Sequence, residues 1–553
     1  MTPKQFVAAF KKHGSVKAVA RNTDLTYHAT RQLYLEALRE GLMEKQQVGR
    51  KSRGQSKEPE RRFEGQVRAR ATRTLVVPRE GIRRHLFTCA QNDTPIFEPF
   101  WNNLQVLAAH YGADIHVARL TYVKSGLGAR GDKATVTKRE DLYGGKDLTW
   151  DPRLEPYFSD DRLEIAPGLV WCGEMNILPT AVRPLSSLEN YTGRKSAIFP
   201  HVKLAMESIA SNAEDATKFN YTTGTVTLRN YIQRKAGLKA EFHHCYGALL
   251  VEVDANGDWF CRQINANSEG EIYDLDVRVD DGKLTTDNRV EAINWGDIHV
   301  DEMSPMVSEL AWGEGGMLDT LRPKFQFMHD VVTFMGPSHH NIKKPFMMFL
   351  RSVQGFMDVK AEFTRAAAML DTAMRSWCRM VSVDSNHHHH IARWLQEQDG
   401  RRDTKNIEFW LEMQRRVYKA IREDKREPNF LSEALYAAAE NPKALRSVHF
   451  LDGGESYVIC ADANGGIECG SHGDLGPGGS RGNTRVYTTL GRKMNKGHDH
   501  KATIMDGVYS AGTCSNLNPD WAAGPNAWSH SHIVTYPNGK RAIITMWNDK
   551  WRA

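Results

Sequence analysis

The chain has 553 residues, 41% of them apolar and 25% charged, with a formal net charge of +6. That balance excludes wholesale disorder, a collagen-like rod and a membrane-spanning protein, since no apolar run approaches the roughly 18–20 residues a span needs. The length suggests about three or four folding units. The first residues carry no apolar leader, so the expected location is the cytoplasm.

Eight cysteines are scattered and no pair has CxxC spacing, which argues for reduced thiols rather than a zinc ribbon or redox dithiol. Histidine is the informative residue. Of 22, 14 fall after residue 290, a concentration that raises metal ligation as a question.

Residues 1–45 have a compact helical pattern. Phe6, Val7 and Phe10 share one face, Gly14-Ser15 makes a break, and Val16, Val19 and Ala20 begin a second short helix. After a turn at Asn22-Thr23-Asp24, Tyr27 through Leu42 carries Leu33, Leu35 and Leu38 at helical spacing. Short helix, turn, longer helix is the outline of a helix-turn-helix, a unit used for DNA contact and for protein contact alike. Residues 46–80 read as a basic linker. Arg50, Lys51, Arg53, Arg61 and Arg62 are its candidate DNA-binding residues, able to track phosphates without reading sequence.

Residues 81–288 read as an α/β domain of unassigned role. His85–Cys89 is an expected strand, Phe97–Tyr111 a helix and Ile115–Tyr122 a second strand, a βαβ opening. Further strands are expected at Leu169–Cys172, Thr225–Leu228, Ala248–Val253 and Trp259–Ile264. Gly126 to Gly131 fits GxGxxG only superficially. It lacks a convincing following helix and reads as a glycine loop.

Residues 289–553 alternate strands, helices and polar loops. A long helical stretch is expected from Lys343 to about Cys378, and strands at Tyr457–Cys460, Ala502–Ile504 and Ile533–Tyr536. The polar residues of this segment have an order. An apolar approach ends in Asp297-Ile298-His299, where a period of two would place both side chains on one side. A second ends in His329-Asp330, and a third in Ser385-Asn386-His387-His388. Then come Ser471-His472 and Gly497-His498-Asp499-His500. Oxygen and imidazole ligands without thiolate suit Mn, Fe or Zn better than Mg or Ca. His530 and His532 also have ligand spacing but read as structural.

This ordered set of five resembles the calcineurin-like metallophosphoesterase superfamily, whose pattern is DxH, GDxxD, GNH[DE], GH and GHxH. The resemblance covers about 265 residues and is nearest the SbcD-type repair nucleases. The wider layout is similar to phage proteins that act on DNA early in infection. The resemblance implies an α/β/β/α sandwich and two divalent cations, most simply Mn, with Fe, Zn or Mg as alternatives. It implies that Asp297, His299 and His500 hold the first cation, that Asp330 bridges, and that Asn386, His472 and His498 complete the second site. It makes His387 the catalytic residue beside the scissile phosphate, assisting in-line attack by a water activated between the cations. The sequence departs from the pattern at His329 and Thr333, which replace the second motif's Gly and final Asp. It departs again at Ser385, His388 and Ser471. Asp330 has therefore lost its flanking signature, and His339 or His340 competes for part of its role.

The implied function is a metal-dependent phosphodiesterase with DNA as partner, a nuclease. A phosphatase or phosphodiesterase on protein or small-molecule substrates is the alternative, as is a non-catalytic DNA-binding regulator with a vestigial metal site. Homo-oligomerisation and a protein partner are left open by the sequence; a membrane partner is not expected.

Overall fold

The computed structural model describes residues 1–13, 16–43, 72–122, 148–462, 465–519 and 524–553. The five candidate DNA-binding residues and the glycine loop at 126–131 lie outside them. The chain divides into two compact units, Met1–Ala71 and Thr72–Ala553.

In the first unit, helices Pro3–His13, Val16–Arg21 and Tyr27–Arg39 surround a small core of Phe6, Phe10, Val19 and Ala37. Phe10 packs between Phe6 and Tyr34, with ring centroids 5.6 Å from each. The i, i+4 spacing of the two phenylalanines puts them on one helical stripe. Leu35, expected on the apolar face, is exposed.

The second unit is mixed α/β. The βαβ opening forms as expected: the strand Ile82–Gln91 pairs in parallel with Asp114–Leu120, joined by the helix Glu98–Tyr111, which Gly112 ends in a left-handed cap. Gly247–Asp254 and Trp259–Asn265 complete that sheet. Thr225–Leu228 is not a strand; it makes only isolated bridges through Thr225 and Thr227. Inside this part Arg262 is fully buried between Glu252 and Asp274, donating at 2.6–2.8 Å to both carboxylates.

Two sheets position the site. A six-stranded sheet runs in the order His449–Phe450, Arg379–Ser382, Phe325–Met328, Ala292–Asn294, Ser531–Thr535, Arg541–Thr545. Its first four strands are mutually parallel, Ser531–Thr535 runs against them, and Arg541–Thr545 pairs antiparallel with Ser531–Thr535. Alternation decides which layer each residue meets. Ile293, Met328 and Met380 face a layer of helices. Ala292, Phe327 and Val381 face the other way, onto Ile459 and Ile467 of an eleven-stranded sheet and onto Cys469 just beyond its strand. Helices therefore cover one face and a second sheet the other.

The eleven-stranded sheet also takes strands from both sides of the boundary expected at 288/289. Met206–Ile209 pairs with Thr503–Met505, so strands from both segments share one sheet inside one compact unit. The long helical stretch is likewise two helices, Pro345–Val353 and Val359–Ala373. They are broken at Gly355, which has φ +86°, and restarted where Asp358 caps Ala361 N–H at 2.9 Å.

Candidate metal centre

Parallel strands end together, and their exit loops deliver the polar residues. Beyond Ala292–Asn294 and Phe325–Met328 the backbones stay side by side: Ile298 N–H donates to His329 O at 3.0 Å and His299 N–H to Asp330 O at 2.8 Å. On the other flank Asp297 N–H donates to Gly512 O, and Cys514 N–H to Asp297 O. Gly296 permits this close passage, since a Cβ there would sit 2.7 Å from Gly512 backbone atoms. Gly497 is required for the same reason: its Cβ would meet Asp297 Oδ1 at 2.2 Å.

The structure brings Asp297, His299, Asp330 and His500 into one buried group. His500 Nε2 is 3.0 Å from Asp297 Oδ2, and His299 Nε2 lies 3.2 Å from His500 Nε2 and 3.7 Å from Asp330 Oδ2. Asp330 also reaches the other side, with Oδ2 3.2 Å from His472 Nε2. It thus sits between two imidazole sets although its sequence signature is lost. A second buried group joins Asp297, His329 and His472.

Of the remaining expected ligands, His498 sits close by. The His498 ring stands edge-on to His472 at 5.2 Å, and its backbone N–H donates to Asp297 Oδ2 at 2.8 Å. Asn386 is half-buried, with an Oδ1 that is buried and without a hydrogen-bond partner. His339 and His340 do not join Asp330; they gather with His390 in a separate cluster. His388 is not directed at the centre: its Nε2 accepts from Val331 N–H at 3.0 Å, pinning the loop. His530 and His532 are structural, contacting Thr513 O and Gly296 N–H.

Sequence reasoning missed His329. In the sequence it stands only as the replacement for a glycine, yet its Nδ1 is 3.4 Å from His472 Nδ1 and its Nε2 is buried without a partner. The available signal was its place at the end of an apolar strand, next to Asp330.

The donor set fits divalent cations. Two imidazole Nε2 atoms 3.2 Å apart, with carboxylate oxygens beside them, converge on a point that a cation or proton must occupy for the lone pairs to be tolerated. Asp330 Oδ1 and Asn386 Oδ1 are buried and unsatisfied by protein. The electrostatics agree. Burial would lift the Asp297 and Asp330 carboxyls, but the surrounding imidazoles together, His472 foremost with His500 at Asp297 and with His387 and His299 at Asp330, hold both below the ordinary range. Burial disfavours the charged form of His472, yet Asp330 and Asp297 push it up to about 9. Burial and the neighbouring His387 drive His299 well below its ordinary value.

Backbone strain is concentrated here as well. His299, Asp330, His498 and His500 all have positive φ, between 44° and 72°. None is glycine, and such conformations persist only where the surrounding structure enforces them.

Over 482 residues the chain is 32% identical to Protein A1 of Escherichia phage T5, a match covering 85% of this chain and 83% of that protein. The chain belongs to the family of phage T5 Protein A1. No family model and no solved structure matches it. Among the described residues no helix is long and apolar enough to cross a membrane.

Proposed function

We propose that this member of the Protein A1 family is a metal-dependent phosphodiesterase acting on DNA, a nuclease working in the cytoplasm of an infected bacterium. The observation that carries the reading is the shared position of Asp297 and Asp330 between two imidazole sets. Asp297, His299, Asp330 and His500 would hold one cation, and Asp330 with His472, Asn386 and His498 a second; His329 is a further candidate ligand. Bound divalent cations supply Lewis acidity toward a phosphoryl oxygen and acidify a nucleophilic water, and Mn fits this oxygen–imidazole set.

The chain's own residues have distinct tasks. His498 N–H orients the Asp297 carboxylate. His387 Nδ1 lies 2.8 Å from Thr333 O, an acceptor, which fixes the Nδ1–H tautomer and leaves Nε2 as the proton-transfer atom. Its ring packs edge-on against His299 at 4.6 Å, so it stands beside the centre. A protonated Nε2 there would deliver its proton to the leaving oxygen of the diester. DNA as substrate is supported by the three-helix unit and by the basic stretch with Arg50, Lys51, Arg53, Arg61 and Arg62.

The test is cleavage of linear and circular DNA by the purified full chain with Mn, Mg, Zn or EDTA, alongside Asp297→Ala. The proposal expects cation-dependent cleavage that the variant lacks. Turnover of bis(p-nitrophenyl) phosphate without DNA cleavage would replace DNA by a small substrate. No turnover of either would overturn the enzyme.

A further inference from the structure

A second group of imidazoles lies beyond the centre. His339, His340 and His390 offer nitrogens within 4.8 Å of one another. The rings of His339 and His340 are 3.8 Å apart, and His390 lies 5.1 and 5.7 Å from them. His390 is in turn 5.0 Å from His387, which contacts His299 at 4.6 Å. A continuous run of imidazoles therefore leads from the metal centre, past the proton-transfer residue, to this cluster and the surface, where His340 is exposed.

Three imidazoles suit a cation or an anion, and hydrogen bonding separates the two. Arg393 Nη1 is 2.8 Å from His339 Nε2. A guanidinium can only donate, so Nε2 carries the lone pair and Nδ1 carries the hydrogen. That Nδ1 is buried and has no partner. His339 thus has a buried N–H donor left to offer at Nδ1, not a lone pair. His390, only 9% exposed, also has a buried, unpartnered Nδ1. A cation would have to break the Arg393 contact and sit beside a fixed positive charge with no carboxylate among its ligands. An anion would gain from both features. Glu397 is the acidic group that acts on His339, and among the described residues no ion pair joins it to Arg393. Exposed Lys343 and Lys344 follow the cluster and extend the positive edge.

We propose that His339, His340, His390 and Arg393 form a phosphate subsite that holds the phosphate next to the scissile one in a polynucleotide strand. This rests on the phosphodiesterase reading and deepens it. A substrate with consecutive phosphates gains from the subsite, whereas an isolated small diester does not.

The test compares the full-length wild type with Arg393→Gln and His390→Gln. Binding of a fluorescein-labelled trinucleotide is followed by anisotropy in EDTA, and bis(p-nitrophenyl) phosphate turnover is followed in Mn. All three proteins retain the basic stretch, so its contribution cancels in the ratio. The expected result is trinucleotide binding about five- to tenfold weaker in Arg393→Gln, with a shallower salt dependence. Turnover of the small diester should stay within about twofold of wild type. Trinucleotide affinity within about twofold in both variants overturns the subsite, as does a parallel loss of small-diester turnover. An additional cation equivalent bound by wild type and lost in His390→Gln also overturns it, making the cluster a metal site. If wild type turns over no diester, the phosphodiesterase reading fails, while the anisotropy arm still decides whether phosphate binds here.

Discussion

Asp297 accepts a hydrogen bond from the backbone N–H of His498 at 2.8 Å, across 201 residues of chain. This contact ties the first and last of the five motif loops and depends on Gly497, where any side chain would strike the Asp297 carboxylate. Gly497→Ala should therefore displace Asp297 and lower Mn affinity at least about tenfold without unfolding the chain. Calorimetric titration with Mn, paired with a thermal melt, checks it. Unchanged affinity would show that the close approach is not needed.

His387 is placed for proton transfer and not among the ligands. His387→Ala should keep its Mn while losing about 10²–10⁴ in turnover of a phosphodiester. Metal content and turnover measured on one preparation separate the two roles. Wild-type turnover, or loss of metal, would contradict the assignment.

The motif order DxH, D, NH, H, HxH was legible because each ligand pair is local and ends an apolar run. Asp330 was legible only through that order, and the structure still brings it between His299 and His472. His329 was not legible, because its ring reaches His472 only once two distant loops meet. Nor was the left-handed backbone of His299, Asp330, His498 and His500, which local preference opposes and tertiary contacts impose. The break at Gly355 and Asp358 was written in residues that read equally well as helix tolerances. The sheet shared across residues 288/289 was not legible for a different reason: the pairing of Met206 with Ile504 is a long-range contact that no local pattern announces.

Glu362 supports the loop after Asp330, accepting from Thr333 N–H at 2.8 Å and Phe334 N–H at 2.6 Å. Burial, reinforced by Asp301, pushes its carboxyl from 4.5 up to about 8. Between those values the folded chain holds a proton that the unfolded chain has released, so this group makes stability fall as pH rises from about 4.5 to about 8. Glu362→Gln keeps the accepting oxygen and removes the titration. Its melting temperature should gain on wild type across that window, and parallel curves would contradict the assignment.

Arg262 lies buried between Glu252 and Asp274. Arg262→Ala would leave two carboxylates in the core without their cation, at a cost of about 3–5 kcal/mol. Denaturant unfolding of the two proteins measures it. A difference below about 1 kcal/mol would show that the carboxylates find protons or water at little cost.

The most direct measurement of the central claim is the number of Mn ions the full chain binds, counted by calorimetric titration against Asp297→Ala. The account predicts two ions for the wild type and loss of at least the first in the variant, which lacks the carboxylate that meets both His500 and His498. Equal binding by the two proteins would contradict it.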